Sequence, residues 1–275
     1  EDKTPPEIMA GRVNSGPNEP GWTYRVVPNK FPALRIEGEL EPTGEGLFDR
    51  MNGVGAHEVV IETPDHLGSL ASMSVDAVAE VLLAFRDRLL DLKKDPRFEY
   101  VLVFKNHGEA AGASLEHPHS QLIATPIIPI MVKEELEGSQ RYWEMKERCV
   151  WCDIVRQERK SRQRVILESS GFVALAPFAP RFPFETWILP THHRAAFEES
   201  GIEELRGLAT VLGEFLRRLA TTLNEPPFNL VLHTAPLRDN GLDYFHWHLE
   251  IIPKLANVAG FEWGSGFFIN PMPPE

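Results

Sequence analysis

The chain has 275 residues, of which 43% are hydrophobic, enough to bury a core in one large domain or two small ones. Its 28 basic and 40 acidic side chains leave a formal net charge of −12, which argues against non-specific binding to nucleic acids or anionic membranes. No charged-then-apolar leader opens the sequence, and the longest apolar run, 122–132, is short and contains proline. We therefore expect a cytoplasmic protein without a membrane span.

The first half of the chain predicts two strands, a helix and two further strands. Residues 1–22 hold several Pro and Gly and predict an irregular arm. Apolar residues recur at helical spacing between 74 and 94, and Ser74 is a suitable N-cap. Apolar runs bounded by turn residues predict strands at 23–34, 57–63, 100–104 and 117–125.

The second half repeats this order. Apolar runs predict its strands at 171–176, 185–189, 229–234 and 245–252, and an amphipathic pattern predicts a helix at 202–223. The histidines keep their spacing as well, since His117 follows His66 by 51 residues and His246 follows His193 by 53 residues. A matching order and a matching spacing together predict a duplicated unit.

The duplication predicts how the chain is divided. We expect an N-terminal half at 1–137 and a C-terminal half at 138–275, linked by the charged, helical segment 129–148. Strands and helices in this order predict an α+β fold, in which two antiparallel half-sheets carry helices packed on one face.

Residues 106–121 form the stretch with the clearest chemical character. They are rich in Gly, Ala and Ser, lie between two apolar strands and end in His117-Pro118-His119-Ser120-Gln121. Such a loop suits a backbone that passes close to a ligand. Residues two apart in a strand point the same way, so His117, His119 and Gln121 are predicted on one face. We interpret this as a site for a phosphate-bearing ligand, because a solvated histidine-bearing strand would not need the flanking loop.

His119 is the candidate nucleophile. An imidazole can attack phosphorus and hold the group as a covalent intermediate if one nitrogen is neutral and the other is fixed by a hydrogen bond. Donors for the phosphate oxygens would come from Ser114, the amides of residues 112–114 and Gln121. His117 points the same way but would be occupied if it binds a metal.

Cys149 and Cys152 form a Cys-x-x-Cys pair and are the only cysteines of the chain. In a protein that is not secreted, this pair indicates metal or redox chemistry rather than a disulfide framework. Two histidines from strand ends would complete a tetrahedral zinc site. The candidates are His193 and His246, with His192 and His233 as substitutes. A thioredoxin-like pair fits less well, because the motif follows a helical linker rather than a strand, and two ordinary cysteines remain the other alternative.

His66 and His117 are the analogous histidines of the first half, which has no cysteine pair. Either a metal site at these two histidines is empty, or its cysteines lie upstream of Glu1. The residues alone leave both alternatives open.

The motifs at 106–114 and 117–121 resemble those of a known family. Asn-x-Gly-x-x-x-Gly-x-Ser followed by His-Pro-His-x-Gln is similar to galactose-1-phosphate uridylyltransferases, a branch of the histidine triad superfamily. Weaker matches occur at 27–33, 183–187 and 260–262, so the resemblance covers nearly the whole chain, including both halves.

The resemblance implies roles for individual residues. His119 would carry a nucleotidyl group, with Gln121 as its catalytic partner. The implied substrate-binding residues are Asn29 near the ribose, Asn106, Gly112, Ala113, Ser114 and Gln121 around the phosphates, and Phe261 and Glu262 at the hexose. A Cys-x-x-Cys that family members carry shortly before the position of Glu1 would complete a zinc site with His66 and His117.

The resemblance also implies a fold and an assembly. Two histidine-triad-like halves would form one continuous sheet, in a homodimer whose active sites use both subunits. The substrates would be a nucleotide sugar and a sugar phosphate, as in galactose metabolism. We expect a UDP-hexose:hexose-1-phosphate uridylyltransferase type of reaction, working by two displacements through nucleotidyl-His119.

Several residues depart from the family pattern. Ser120 stands where typical uridylyltransferases have Gly, Lys30 where many have an acidic residue, and Ala256 where a basic residue is usual. The cysteine pair and the C-terminal sequence look more like the branch that includes ADP-glucose phosphorylase. The alternatives are therefore a phosphorylase-like adenylyltransferase, a histidine-triad hydrolase that passes the intermediate to water, and a non-catalytic nucleotide-binding protein stabilised by zinc.

Overall fold

The structure, a computed structural model, describes residues 4–239 and 241–275. The first half contains the strands β1 Met9–Arg12, β2 Trp22–Pro28, β3 Thr43–Glu45, β4 Phe48–Arg50, β5 Ala56–Ile61, β6 Tyr100–His107 and β7 His119–Thr125, and the helix α1 Val75–Leu92. The second half contains the helices α2 Ile130–Lys146, α3 Val150–Ser161, α4 Ile202–Leu223 and α5 Gly260–Ser265, and the strands β8 Val165–Ser169, β9 Phe172–Leu175, β10 Thr186–Pro190, β11 Phe228–His233 and β12 His248–Pro253.

Ten of these strands form one antiparallel sheet in the order β1-β2-β5-β7-β6-β11-β12-β10-β9-β8. The order β2-β5-β7-β6 in the first half corresponds to β9-β10-β12-β11 in the second. The two sets meet where β6 pairs with β11. This arrangement confirms the α+β fold with a duplicated unit. The division at 137/138 stays a prediction, and that point lies inside α2.

One face of the sheet is buried beneath α1 and α4. Alternation on β5 shows why, since Ala56, Glu58 and Val60 are buried while the residues between them are only half-buried. The alternating apolar side chains of the central strands join those of the two helices in a single core. α1 begins where predicted, because the Ser74 side chain accepts a hydrogen bond from the Ala77 amide at 3.2 Å.

The opposite face of the sheet is treated differently in the two halves. α2 and α3 pack on the second half, where Trp151 and Val155 of α3 join Val173 and Leu189 of the sheet. These contacts add helices to a second face, whereas the sequence predicted helices on one. No helix of the described chain covers the same face of β5 and β7, where His119 is only 7% exposed but lines a cavity.

Other differences from the predicted elements are local. β1 lies inside the arm predicted to be irregular, and the hairpin β3–β4, β8, α3 and α5 were not predicted. β7 begins at His119, so His117 lies in the preceding loop rather than in the strand. Proline at 118 has no amide proton to donate to a neighbouring strand, which favours a strand start after it. None of the described helices combines the length and the apolar character that crossing a membrane requires.

Candidate active site and metal-binding groups

His119 is the first residue of β7 and lines a cavity of about 540 Å³ together with the loop at 106–118. Its Nδ1 lies 2.8 Å from the carbonyl oxygen of His117. Because a carbonyl oxygen only accepts hydrogen bonds, Nδ1 carries the proton and Nε2 keeps its lone pair. No described residue is hydrogen-bonded to Nε2. The ring is therefore fixed in the tautomer that a nucleophile needs.

The loop beside His119 depends on two glycines and on a residue from the other half. Gly108 and Gly112 adopt positive φ angles of 80° and 86°. A Cβ added at Gly108 would also lie 2.8 Å from a side-chain atom of Pro227. The Asn229 amide, on β11, donates to Asn106 at 2.8 Å and to the carbonyl of Ala111 at 2.9 Å. Asn229 was not predicted as a site residue, because its partner Asn106 lies 123 residues away.

The predicted phosphate-binding residues lie around this loop. Ala113 and Ser114 line the cavity with Asn106, and Gly112 closes the preceding turn. Gln121 follows His119 on the same face of β7, and its Oε1 lies 2.8 Å from Nε2 of His57 on β5.

Asn29 reaches the same histidine, with its Nδ2 3.0 Å from His57 Nε2. The geometry thus brings Asn29 and Gln121 together through His57. His57 was not predicted as a site residue, because a single histidine in an apolar strand looks like any partly exposed polar residue.

A buried ionic group lies behind His119, on the helix-covered face of the sheet. Lys105 Nζ is 2.9 Å from Glu62 Oε2 and 3.0 Å from the carbonyl oxygen of His119. The Ser120 hydroxyl donates to Glu62 Oε1 at 2.5 Å. The side chains of Lys105 and Glu62 are 2% and 0% exposed. Removing one partner of such a pair costs about 3–5 kcal/mol, so the group holds the backbone of the His119 strand.

Phe261 and Glu262 are not brought to His119. Both lie on α5, where Phe261 is 55% exposed and Glu262 accepts a hydrogen bond from the Ala259 amide at 3.0 Å. Neither side chain lines the His119 cavity. Their predicted role at the hexose is therefore not accounted for by contacts within one chain.

Four of the predicted metal ligands do meet. The ligand atoms of Cys149, Cys152, His193 and His246 all lie within 4.8 Å of one another. Cys152 Sγ is 3.4 Å from Nδ1 of His193 and 3.5 Å from Nδ1 of His246. His193 Nε2 donates to the carbonyl of Leu242 at 3.1 Å, which leaves Nδ1 unprotonated and free to bind a metal.

The chemistry of these four donors fits Zn²⁺. Two thiolates and two imidazoles form a closed tetrahedral set without a position for water. The hydrogen bond from Cys152 lowers the pKa of Cys149 to about 3, while the same contact raises the pKa of Cys152. One thiolate is thus favoured even without a metal, and a divalent cation would favour both.

The two substitute histidines lie elsewhere. His192 is half-exposed, with Nε2 3.1 Å from a carboxylate oxygen of Glu204. His233 instead contacts the carboxylates of Glu135 and Glu250.

His66 and His117 approach each other in the first half. Their Nδ1 atoms are 3.0 Å apart. His117 Nε2 is 2.8 Å from the carbonyl of Thr63, so its Nδ1 is the unprotonated nitrogen. Two imidazoles held this way match half of a tetrahedral metal site. The chain's two cysteines both belong to the other group, so no cysteine completes this one.

A third group of possible metal ligands was not predicted. Glu135, His233 and His248 also have ligand atoms within 4.8 Å of one another. Burial opposes protonation of His233, but hydrogen bonds to Glu135 and Glu250 outweigh it and raise its pKa to about 10. Burial lowers the pKa of His248 to about 4. In this protonation state the group is a buried ion-pair network around one charged imidazole.

Known proteins resemble the chain along its length. The family "Galactose-1-phosphate uridyl transferase, N-terminal domain" matches residues 10–129, and the corresponding C-terminal domain matches residues 135–271. ADP-glucose phosphorylase from Arabidopsis thaliana is 39% identical over 262 residues, which are 94% of this chain and 73% of that protein. Galactose-1-phosphate uridylyltransferase from Thermotoga maritima is 30% identical over 256 residues, which are 90% of this chain and 80% of that protein.

Solved structures agree with these matches. A crystal structure of an ADP-glucose phosphorylase from Arabidopsis thaliana with bound ADP-glucose has a TM-score of 0.87 and 36% sequence identity. The match covers 99% of this chain and 83% of that chain. A structure described as a uridylyltransferase has a TM-score of 0.86 with 32% identity, covering 92% of this chain and 83% of that one.

Proposed function

The chain belongs to the galactose-1-phosphate uridyl transferase family and is a nucleotidyltransferase of the hexose-1-phosphate uridylyltransferase type, and we propose that His119 is the nucleophile of its reaction. One observation carries this proposal. The hydrogen bond from His119 Nδ1 to the His117 carbonyl leaves an unprotonated Nε2 on a ring that lines an open cavity. A protein that only binds nucleotides has no need of this tautomer.

The first displacement would proceed at the phosphorus that carries the nucleoside. His119 Nε2 attacks this atom, the bond from phosphorus to the bridging oxygen breaks, and hexose-1-phosphate leaves with the electron pair. The imidazole becomes positively charged during this step. The His117 carbonyl, which accepts the Nδ1 proton at 2.8 Å, stabilises that charge.

The second displacement would reverse the first with another acceptor. An oxygen of a second sugar phosphate, or of inorganic phosphate, attacks the phosphorus, and the bond to Nε2 breaks. The neutral imidazole is restored. The hydroxyl and backbone amide of Ser114 and the Gln121 amide would supply hydrogen-bond donors to the phosphate oxygens in both steps. The amides of Gly112 and Ala113, which the sequence also suggested, instead donate to the carbonyls of Glu109 and Gly108 within the loop.

A second candidate for the donor nucleotide is supported by a specific observation. We expected a UDP-hexose from the sequence, but the ADP-glucose phosphorylase is 39% identical to the chain and the Thermotoga uridylyltransferase is 30% identical. The difference favours an ADP-hexose as donor, with phosphate as acceptor. Both donors would use the same covalent intermediate.

Isotope exchange tests the reaction and the base together. Labelled glucose-1-phosphate is incubated with the protein and either UDP-glucose or ADP-glucose, without a second acceptor. A nucleotidyltransferase moves the label into the nucleotide sugar. A hydrolase releases nucleoside monophosphate without exchange, and a binding protein does neither, so both outcomes would contradict the proposal. A preference above roughly tenfold in kcat/KM identifies the base.

Further features of the proposal concern the metal and the assembly. We infer a structural Zn²⁺ held by Cys149, Cys152, His193 and His246, supported by the closed set of donors. A second zinc at His66 and His117 would need ligands from outside the described chain.

A homodimer would let Phe261 and Glu262 of one subunit reach the hexose in the other, which agrees with their exposure on α5. The cytoplasmic location expected from the sequence stays a prediction.

A further inference from the structure

His57 has a hydrogen-bonding arrangement that determines where its proton lies. It is on the face of β5 that α1 and α4 leave uncovered, and the backbone amide of Ala33 lies 3.0 Å from its Nδ1. A backbone amide can only donate, so Nδ1 must be the unprotonated nitrogen. The proton of the neutral ring is then on Nε2. This assignment does not depend on the orientation of any side-chain amide, because the donor to Nδ1 is a backbone amide, which cannot be flipped.

The tautomer of His57 in turn orients Gln121. Nε2 lies 2.8 Å from Gln121 Oε1, so the ring donates its proton to the amide oxygen. The two cross the sheet diagonally, because Val59 is the residue directly opposite Gln121. With its oxygen engaged, the Gln121 amide must turn its NH₂ group away from β5. No described residue accepts a hydrogen bond from that nitrogen, so both of its protons are available to a ligand.

The orientation of this amide matters for an anionic ligand. An NH₂ group attracts a phosphate oxygen, whereas the amide oxygen repels it. The two orientations of a glutamine amide have the same shape and differ mainly in their hydrogen bonds. A fixed donor on one side therefore selects one orientation before the ligand arrives, which removes a reorganisation step from binding and reaction.

His57 also reaches the loop that follows β2. The Asn29 backbone amide donates to the His57 carbonyl at 2.8 Å, and Asn29 Oδ1 accepts from the Phe31 amide at 2.9 Å. Asn29 Nδ2 consequently points to His57 Nε2 at 3.0 Å. Because Nε2 carries a proton, its hydrogen bond is the one to Gln121. The Asn29 Nδ2 group is also a donor, so its 3.0 Å approach to Nε2 is a packing contact and not a hydrogen bond. One ring thus connects the residue proposed for the ribose with the residue proposed for the phosphate.

We propose that His57 is a positioning residue, which holds the Gln121 amide with its NH₂ group toward the phosphate of the transferred nucleotide. The role rests on the proposed function, since it requires a nucleotidyl group on His119. His57 itself is not a catalytic residue, because it acts through Gln121.

Two substitutions separate this role from a structural one. In His57→Gln, the longer side chain places an NH₂ donor near the position of Nε2 and keeps the bond to Gln121. In His57→Asn, the shorter side chain places an acceptor near the position of Nδ1 and keeps the bond to Ala33. We expect His57→Asn to lower kcat for exchange by about tenfold or more with little change in KM, and His57→Gln to restore most of the rate.

The opposite order would overturn the proposal. If His57→Asn keeps the wild-type kcat while His57→Gln loses it, the histidine anchors the Ala33 loop and does not orient Gln121. Thermal unfolding of both variants shows whether each is folded at the assay temperature. If the wild-type protein shows no exchange, the proposed function fails instead, so the two failures can be told apart.

A double-mutant cycle checks the partner. In a Gln121→Ala background, His57→Asn should lower kcat by no more than about twofold further, because the group it orients is gone. Independent losses that multiply in the double variant would show that His57 acts by another route and would contradict the proposal. Residual exchange of Gln121→Ala must be measurable for this comparison, and single-turnover formation of nucleotidyl-enzyme provides the more sensitive signal.

Discussion

His119 and His248 occupy equivalent positions in the two halves, but described helices of the chain pack over His248 alone. Each Nδ1 is hydrogen-bonded to the carbonyl two residues earlier, at 2.8 Å for His119 and at 3.1 Å for His248. The same hydrogen bond to a backbone carbonyl therefore fixes the same tautomer in both rings. Duplication produced two histidines with an unprotonated Nε2, so the backbone alone does not decide which one can react.

The surroundings of the two rings determine which histidine can react. Trp151 of α3 stacks on His248 with ring centroids 4.3 Å apart, and His233 stacks on it at 4.5 Å. Glu135 of α2 lies 3.4 Å from its Nε2. In the first half α2 reaches only Tyr100 and Leu102 of β6, and no described helix covers the corresponding face of β5 and β7. A duplicated fold can thus keep one reactive histidine and convert its counterpart into a packing residue by adding two helices.

Replacing each histidine in turn tests the difference between the two positions most directly. His119→Ala should lower exchange by at least about 10⁴-fold, because no other side chain of the cavity can form the covalent intermediate. His248→Gln, the matched change, should leave exchange near wild type in the folded fraction, since Nε2 of His248 is already covered. Wild-type exchange in His119→Ala, or its loss in folded His248→Gln, would show that the two positions have been assigned to the wrong halves.

The second test concerns the metal groups, of which only the second half has cysteines. Cys149→Ser should remove about one zinc per chain and lower the midpoint of thermal unfolding, because the metal connects α3 to two distant strand ends. Activity should persist in the protein that stays folded. Elemental analysis measures the zinc, and Cys152→Ser serves as the matched variant. The assignment would be contradicted if purified wild-type protein contained no zinc and unfolded at the same temperature as the Cys149→Ser variant.

Local signals in the sequence predicted the parts of both sites that depend on nearby residues. Periodicity and the Ser74 cap predicted α1, which begins at Val75. The repeated histidine spacing and the Cys-x-x-Cys pair predicted the group at Cys149 and Cys152. The start of the helix and the meeting of these side chains could be predicted because each pattern lies within one element or is repeated at a fixed distance, whereas metal binding stays a prediction.

Contacts between distant segments could not be predicted in the same way. Asn229 fixes the loop at Asn106 across 123 residues, and His57 meets Gln121 across 64 residues. α3 is short and charged, so its sequence does not indicate that Trp151 will stack on His248. Which face of a half-sheet is covered depends on such long-range packing, and periodicity in a single strand does not report it.

We expect a smaller effect, on the pH dependence of stability, from the buried ion pairs of His233 with Glu135 and Glu250. The pKa of His233 is raised to about 10 because its hydrogen bonds to Glu135 and Glu250 outweigh burial. The folded protein therefore binds this proton more tightly than the unfolded chain, whose histidines have a pKa of about 6.5. The stabilisation is fully present below about pH 6.5 and is lost as pH rises through about 10.

His233→Gln should accordingly be less stable than wild type by roughly 2–4 kcal/mol near pH 6, with the difference shrinking toward pH 10. Denaturant unfolding at several pH values measures it. His192→Gln is the control, because that side chain is 50% exposed and its contact with Glu204 contributes little. A difference that is constant over pH would show that His233 is neutral in the folded protein.

The smallest expected effect lies at the position after each histidine. The first half has Ser120 there, whose hydroxyl binds the Glu62 carboxylate at 2.5 Å next to Lys105. The second half has Leu249, which opposes Leu232 in an apolar layer. The network behind His119 is thus replaced by two leucines behind His248.

Ser120→Ala should lower the free energy of unfolding by about 1.5–3 kcal/mol. The buried Glu62 oxygen loses its hydrogen-bond donor, and water cannot reach it to replace that donor. Ser120→Gly should cost up to about 1 kcal/mol more, through the backbone freedom that glycine gains in the unfolded chain. Exchange activity should change little in either variant, since the Ser120 side chain lies on the face opposite His119. Denaturant unfolding and the exchange assay on the same samples measure both quantities. Unchanged stability of Ser120→Ala would mean that Lys105 alone satisfies Glu62, and the serine would then have no part in holding the His119 strand.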